Sequence, residues 1–254
     1  MNQPLHVCIL GCGRSGTSIF GELFKALPTY TYLSEPDLGT LAKMDFRQPM
    51  AIKVPRPGSE DPTSPGLPFL WPDFMQLFPS PPVLFWQVRH PLDTICSLKI
   101  GIARNWGHHP RPHDWQSWLS KPLEQQCAHH WNYLNTTGYQ QIKEKTNVSY
   151  FEDLVADPMQ HARKCLALID LEYEAVSNEV AGWAQRVQDA NNEKFVEAEC
   201  SKPYSTQDHQ RKVGRWKENL SLEEVINVLP LIEEGAQQFG YRLPGLEETA
   251  DLQS

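Results

Sequence analysis

Hydrophobic positions fall into two rhythms along the chain. Short, largely apolar runs occupy residues 5–10, 51–54, Val83–Val88 and 148–151. Runs of this kind, bounded by turn residues, predict strands buried on both faces, as in a parallel sheet. Between them the spacing becomes helical. Ile19, Leu23 and Leu27, with Phe20 and Phe24 beside them, make one apolar face, opening near residues 15–17 and stopping before Pro28. Residues 93–102 read as a helix capped by Asp93. Residues 122–143 place Cys127, Trp131, Leu134 and Ile142 on one side, Pro158–Leu168 is helical, and 222–239 carries a stripe of Val225, Leu229, Ile232, Ala236 and Phe239. Residues 55–82 hold nine of the 21 prolines and read as a meander with a short helix near 74–78. Strands alternating with helices predict an α/β fold, a three-layer sandwich with a central parallel sheet covered on both faces. The 254 residues are expected to form one domain, 1–254, with the acidic last ten, about 245–254, as a flexible tail.

Composition adds exclusions. Hydrophobic residues at 40% and charged residues at 21% exclude collagen, coiled coil and wholesale disorder. No apolar run approaches the ~18 residues of a membrane span, and the run at 5–10 lacks the basic flank of a signal peptide. A net charge of −8 argues against a nucleic-acid or anionic-membrane partner, while allowing a local basic pocket for one small polyanion. The six cysteines contain no CxxC pair, so they read as reduced thiols of a cytoplasmic protein, and the N-x-S/T sequons at Asn135, Asn147 and Asn219 read as chance.

Three clusters carry candidate chemistry. Gly11-Cys-Gly-Arg-Ser-Gly16-Thr17-Ser18 follows a strand and opens a helix, with the glycine spacing of a P-loop. Such a loop turns backbone N–H groups and a helix N-terminus toward an oxyanion; an ordinary glycine-rich turn gives the same spacing. Thr17 stands where an ATPase loop has its lysine, and the positive charge sits earlier, at Arg14. No strand ends in an aspartate suited to Mg²⁺; the strongest runs into Arg89. The second cluster is Arg89-His-Pro-Leu-Asp93-Thr-Ile-Cys-Ser97, in which a guanidinium fork and a hydroxyl suit a second phosphate, although Arg89 alone could pair with Asp93. The third, residues 211–217, is basic at four of seven positions, consistent with a solvated loop or with a flap over a phosphate.

In this order the clusters resemble the motifs of sulfotransferases that use 3′-phosphoadenosine-5′-phosphosulfate (PAPS), over about residues 5–220. The arginine in the first motif resembles the tyrosylprotein and bacterial branches. The resemblance implies a P-loop nucleotide-binding type of fold and a donor, PAPS, that leaves adenosine 3′,5′-bisphosphate (PAP) with no metal required. It implies that Gly13, Arg14, Ser15, Gly16, Thr17 and Ser18 hold the 5′-phosphosulfate, and that Arg89 and Ser97 hold the 3′-phosphate, with Arg211, Lys212 and Arg215 in the late basic segment. The strand and acidic pair at 150–154 also match. There are departures. The segment Ile52-Lys53-Val54-Pro55 lacks the histidine base of the cytosolic enzymes, Phe151 stands where a tyrosine often contacts adenine, and 214–217 is compressed.

The leaving phosphate then asks for stabilisation by Arg14, the amides of 15–18 and Lys53. The acceptor hydroxyl asks for a base, expected at Glu35, where the arginine-type branches carry a glutamate; the alternative is an exposed loop carboxylate. His108, His109 and His113 match no zinc spacing. With Trp106, Trp115 and Trp118 they read as an acceptor-binding loop or as core. The expected activity is sulfuryl transfer to a hydroxyl of a small-molecule or carbohydrate acceptor. A P-loop kinase-like phosphotransferase and an inactive nucleotide-binding relative stay open.

Overall fold

The computed structural model describes residues 5–54, 74–189 and 213–245. Five strands, β1 (Val7–Gly11), β2 (Thr31–Ser34), β3 (Met50–Lys53), β4 (Val83–Val88) and β5 (Thr146–Tyr150), form one sheet in the order β2-β3-β1-β4-β5. Every neighbouring pair is parallel, with Val7 opposite Ala51 on one side and Val83 on the other. β1 lies at the centre and is buried throughout, as its continuous apolar run requires.

Alternation along the strands divides the core. Val7 and Ile9 face the helices α1 (Thr17–Ala26), α7 (Pro158–Leu168) and α8 (Ser177–Gln188), packing with Phe20, Leu166 and Trp183. Leu10, Trp86 and Val88 face α3 (Pro91–Ile102), α5 (Leu123–Tyr133) and α10 (Leu222–Gln238). Cys8, Ile52 and Leu84 pack with Phe74, Phe78 and Leu41, the last on the short helix α2 (Leu38–Leu41). Helices thus cover both faces of a parallel sheet, as the alternating pattern predicts.

Several elements differ from the sequence expectation. The helix after β4 starts at Pro91 with His90 as N-cap, so Asp93 lies inside the first turn and does not cap it. The helical segment at 122–143 is interrupted: α5 passes into a π-helical turn, Leu134–Gly138, that turns Asn135 inward. There Asn135 accepts from Trp86 Nε1 at 2.9 Å and donates to the Trp131 carbonyl at 2.9 Å, so this sequon asparagine is part of the core. β5 begins at Thr146 and ends before Phe151, which opens the helix α6 (Phe151–Ala156). β2 and α8 have no counterpart in the apolar pattern. β2 carries the chain from α1 to Glu35 along the sheet edge. Two further short α-helices are α4 (Trp115–Trp118) and α9 (Trp216–Asn219). Among the described residues the five cysteines are buried and free, and no helix is long and apolar enough to cross a membrane.

Candidate active site

The candidate residues meet at the C-terminal ends of the central strands. β1 ends at Gly11, where a Cβ would lie 2.3 Å from the Gln87 carbonyl oxygen, so the first loop glycine is imposed by the neighbouring strand. The backbone is left-handed at Arg14 (φ 68°) and at Gly16 (φ 91°), which is the N-cap of α1. A Cβ on Gly16 would come within 2.4 Å of the Phe151 ring. Ser15 N donates to the Cys12 carbonyl at 3.3 Å, and Ser15 is fully buried. Among the described residues its Oγ has no hydrogen-bond partner, a state that buried hydroxyls rarely keep without a ligand or water. A tight loop, an open helix N-terminus and an unsatisfied hydroxyl fit an oxyanion.

On the β3 side, parallel register sets Ser34 opposite Lys53, which brings Glu35 beside the end of β3. Glu35 N donates to the Lys53 carbonyl at 2.7 Å, and Glu35 adopts φ 55°. Lys53 is buried, and its Nζ donates to Glu35 Oε1 at 2.6 Å and to Ser18 Oγ at 3.1 Å. Glu35, 33% exposed, is therefore a half-buried carboxylate tied by backbone and side chain, and not a loose loop residue. Pro55, next to Val54, lies outside the described residues.

On the β4 side Arg89 is buried, and its Nη1 donates to the Arg14 carbonyl at 3.3 Å. This contact ties the two clusters together. The guanidinium carbon sits 4.4 Å above the Phe151 ring. Phe151 is buried between Gly16 and Arg89, so it serves as a spacer for both cation-bearing segments. Burial pulls the Arg89 pKa down, the Asp93 carboxylate opposes that, and the Arg215 guanidinium adds to it. Arginine stays charged under such a shift. Ser97, the seventh residue of α3, is buried and faces Arg215, whose Nη1 donates to its Oγ at 3.4 Å.

The structure also revises the roles of several neighbours. The oxygens of Asp93 accept from Gly214 N at 2.8 Å and Trp216 N at 3.0 Å, so Asp93 is more than a partner for Arg89. Glu152 accepts from His90 N at 2.8 Å and from Tyr241 Oη at 2.8 Å, bracing the turn that carries Arg89. Neither role has a local sequence signal, because the partners lie 62 to 123 residues away. Arg211 and Lys212 lie outside the described residues. Lys217 is exposed, whereas Arg215 is buried against Ser97.

The Trp- and His-rich segment divides. Trp106 is core, donating from Nε1 to His130 Nδ1 at 3.1 Å. Burial, reinforced by the nearby histidines, holds His130 well below the usual imidazole pKa. Trp118 stacks on His129 at 4.0 Å, and His129 contacts Asp114 at 2.7 Å. The ring of His108 lies against the glycine loop after β1, since a Cβ on Gly13 would meet its Nδ1 at 2.9 Å.

No protein-family model matches the chain, and no curated protein matches it by sequence. Solved structures match by fold. The sulfotransferase domain from the curacin biosynthetic pathway aligns with a TM-score of 0.57 at 13% identity, over 96% of this chain and 100% of that one. The chain has the sulfotransferase fold. A mouse sulfotransferase, SULT7A1, solved in complex with PAP, aligns with a TM-score of 0.57 at 14% identity, over 100% of this chain and 88% of that one. The sulfotransferase STF9 from Mycobacterium avium gives 0.54 at 12% identity, over 96% and 79%. Within the sulfotransferase fold of this chain, the loop at residues 11–18 follows the central strand and the Arg89 turn follows its neighbour β4.

Proposed function

We propose that the protein transfers a sulfuryl group from PAPS to a hydroxyl of a small-molecule or carbohydrate acceptor. The observation that carries this reading is the pairing of two anion-suited sites across one contact, Arg89 Nη1 to the Arg14 carbonyl. The Arg14 loop with Lys53 suits the 5′-phosphosulfate. Arg89, Ser97 and Arg215 suit a second phosphate beside it, as a 3′,5′-substituted nucleotide requires. The SULT7A1 structure, with PAP bound, supports the same donor class.

The donor, when bound, supplies a sulfuryl group joined through oxygen to its 5′-phosphate. Arg14 and the amides of Ser15, Gly16, Thr17 and Ser18 bind the phosphate side and stabilise charge left on it. Lys53, held between Ser18 and Glu35, directs a second positive charge to the same place. Glu35 takes the acceptor hydroxyl proton on its carboxylate. Its fixed backbone and ion pair keep it within reach of Lys53, so base and cation act from one rigid corner.

Kinase chemistry is less well supported. Thr17, at the lysine position of an ATPase loop, is buried, and β4 delivers Arg89 where an acidic metal ligand would stand. The test is turnover. Incubation with PAPS and a panel of sugar, phenol and alkyl alcohols should yield PAP and a sulfated product in EDTA. No transfer across the panel, together with tight PAP binding, would favour the inactive relative. Transfer of phosphate from ATP would favour the kinase.

A further inference from the structure

We propose that Asp93 is the positioning residue for the 3′-phosphate end of the donor site: it fixes Arg215 and so sets preference for a 3′-phosphorylated nucleotide. This rests on the PAPS reading above. Asp93 is 1% exposed, and its two oxygens divide between two amides of one short segment, Oδ2 accepting from Gly214 N and Oδ1 from Trp216 N. Those amides flank Arg215 in sequence. Gly214 adopts φ 76°, and a Cβ there would meet nothing within 4 Å, so conformation and not space asks for glycine. The backbone around Arg215 is thus folded about a single carboxylate, as a nest of N–H groups folds about an anion.

The side chain of Arg215 follows from that anchor. It is 3% exposed and reaches Ser97. Asp93 and Ser97 are four residues apart on α3 and share a face, so one holds the backbone of Arg215 while the other meets its guanidinium. The same carboxylate supports the charge on Arg89, which Arg215 opposes. It therefore lets two guanidinium groups stand close together in a buried place. Asp93 does not itself contact the phosphate: both its oxygens face amides, and a carboxylate would repel the ligand.

The test compares PAP with 5′-AMP, which lacks only the 3′-phosphate, by calorimetry on the full chain in EDTA, with a thermal melt of each variant. Asp93→Asn keeps the shape but sets an NH₂ against one of the two N–H groups and removes the charge. PAP affinity is expected to fall about 10-fold or more, the scale of a lost charged hydrogen bond, with 5′-AMP affinity nearly unchanged. Gly214→Ala, which strains the same anchor without a steric clash, is expected to shift the PAP to 5′-AMP ratio in the same direction. It decides the matter if Asp93→Asn does not fold. Wild-type PAP preference in both variants, or equal loss of both nucleotides, would overturn the positioning role. A wild-type protein that does not prefer PAP over 5′-AMP would instead overturn the donor reading, and the role with it.

Discussion

At the scale of single residues, the roles proposed for Glu35 and Arg89 are separable. Glu35→Gln keeps an acceptor for Lys53 but removes basicity. It is expected to lower kcat by roughly 10²–10⁴-fold, the usual worth of a general base, with PAP affinity nearly unchanged. A kcat close to wild type would return Glu35 to a purely structural ion pair. Arg89→Ala removes a buried guanidinium and is expected to weaken PAP by roughly 10- to 100-fold, from about 1.5–3 kcal/mol for a charged hydrogen bond. Unchanged affinity with collapsed stability would make Arg89 a packing residue over Phe151. That Arg14, Arg89 and Ser97 come together was legible in the sequence, because short motifs follow β1 and β4 and run into the helices behind them. Asp93 was legible as a residue but not as a role. An acid near a helix start suggests a cap by local rules, whereas its partners, Gly214 and Trp216, are more than 120 residues away.

At the scale of elements, the helix layer over α1 holds a pH-sensitive packing site. His161 on α7 lies 5.0 Å from the Phe20 ring and 3.6 Å from the Cys165 sulfur. Burial lowers its pKa from 6.5 to about 4, with the Lys164 charge adding to the shift. The unfolded chain therefore binds this proton more readily than the native one between those values. Stability from this site is complete above pH 6.5 and falls as the pH drops toward about 4, by on the order of 3 kcal/mol at 1.36 kcal/mol per unit. Urea midpoints measured across this range should show a shallower slope in His161→Leu; an equal slope would place the titration elsewhere. At the start of α10, Ser221 and Glu224 form a reciprocal capping box, and Ser221→Ala should cost about 1 kcal/mol in the same urea assay. Strongly periodic elements such as α1, α7 and α10 were legible. β2 was not, because an edge strand half open to water lacks a continuous apolar run. The π-helical turn was not, because the partner its Asn135 meets, the Trp86 indole, is 49 residues away in sequence.

At the scale of the molecule, strand order does what no single motif can. β1 lies between β3 and β4, with α1 against one face of the sheet and α3 against the other. The crevice outside the carboxyl ends of the strands opens where such connections diverge. Into it the chain delivers the Arg14 loop from β1, Glu35 from β2, Lys53 from β3 and Arg89 from β4. Side chains spread over 75 residues of sequence thus meet at one surface, which the proposed function assigns to a doubly anionic nucleotide. The measurement closest to this claim is calorimetric titration of the protein with PAP and with ATP in the presence of EDTA. PAP is expected to bind without Mg²⁺ and far more tightly than ATP. Equal affinity for ATP, or binding of either nucleotide only when Mg²⁺ is restored, would contradict a site built for a 3′,5′-substituted adenosine.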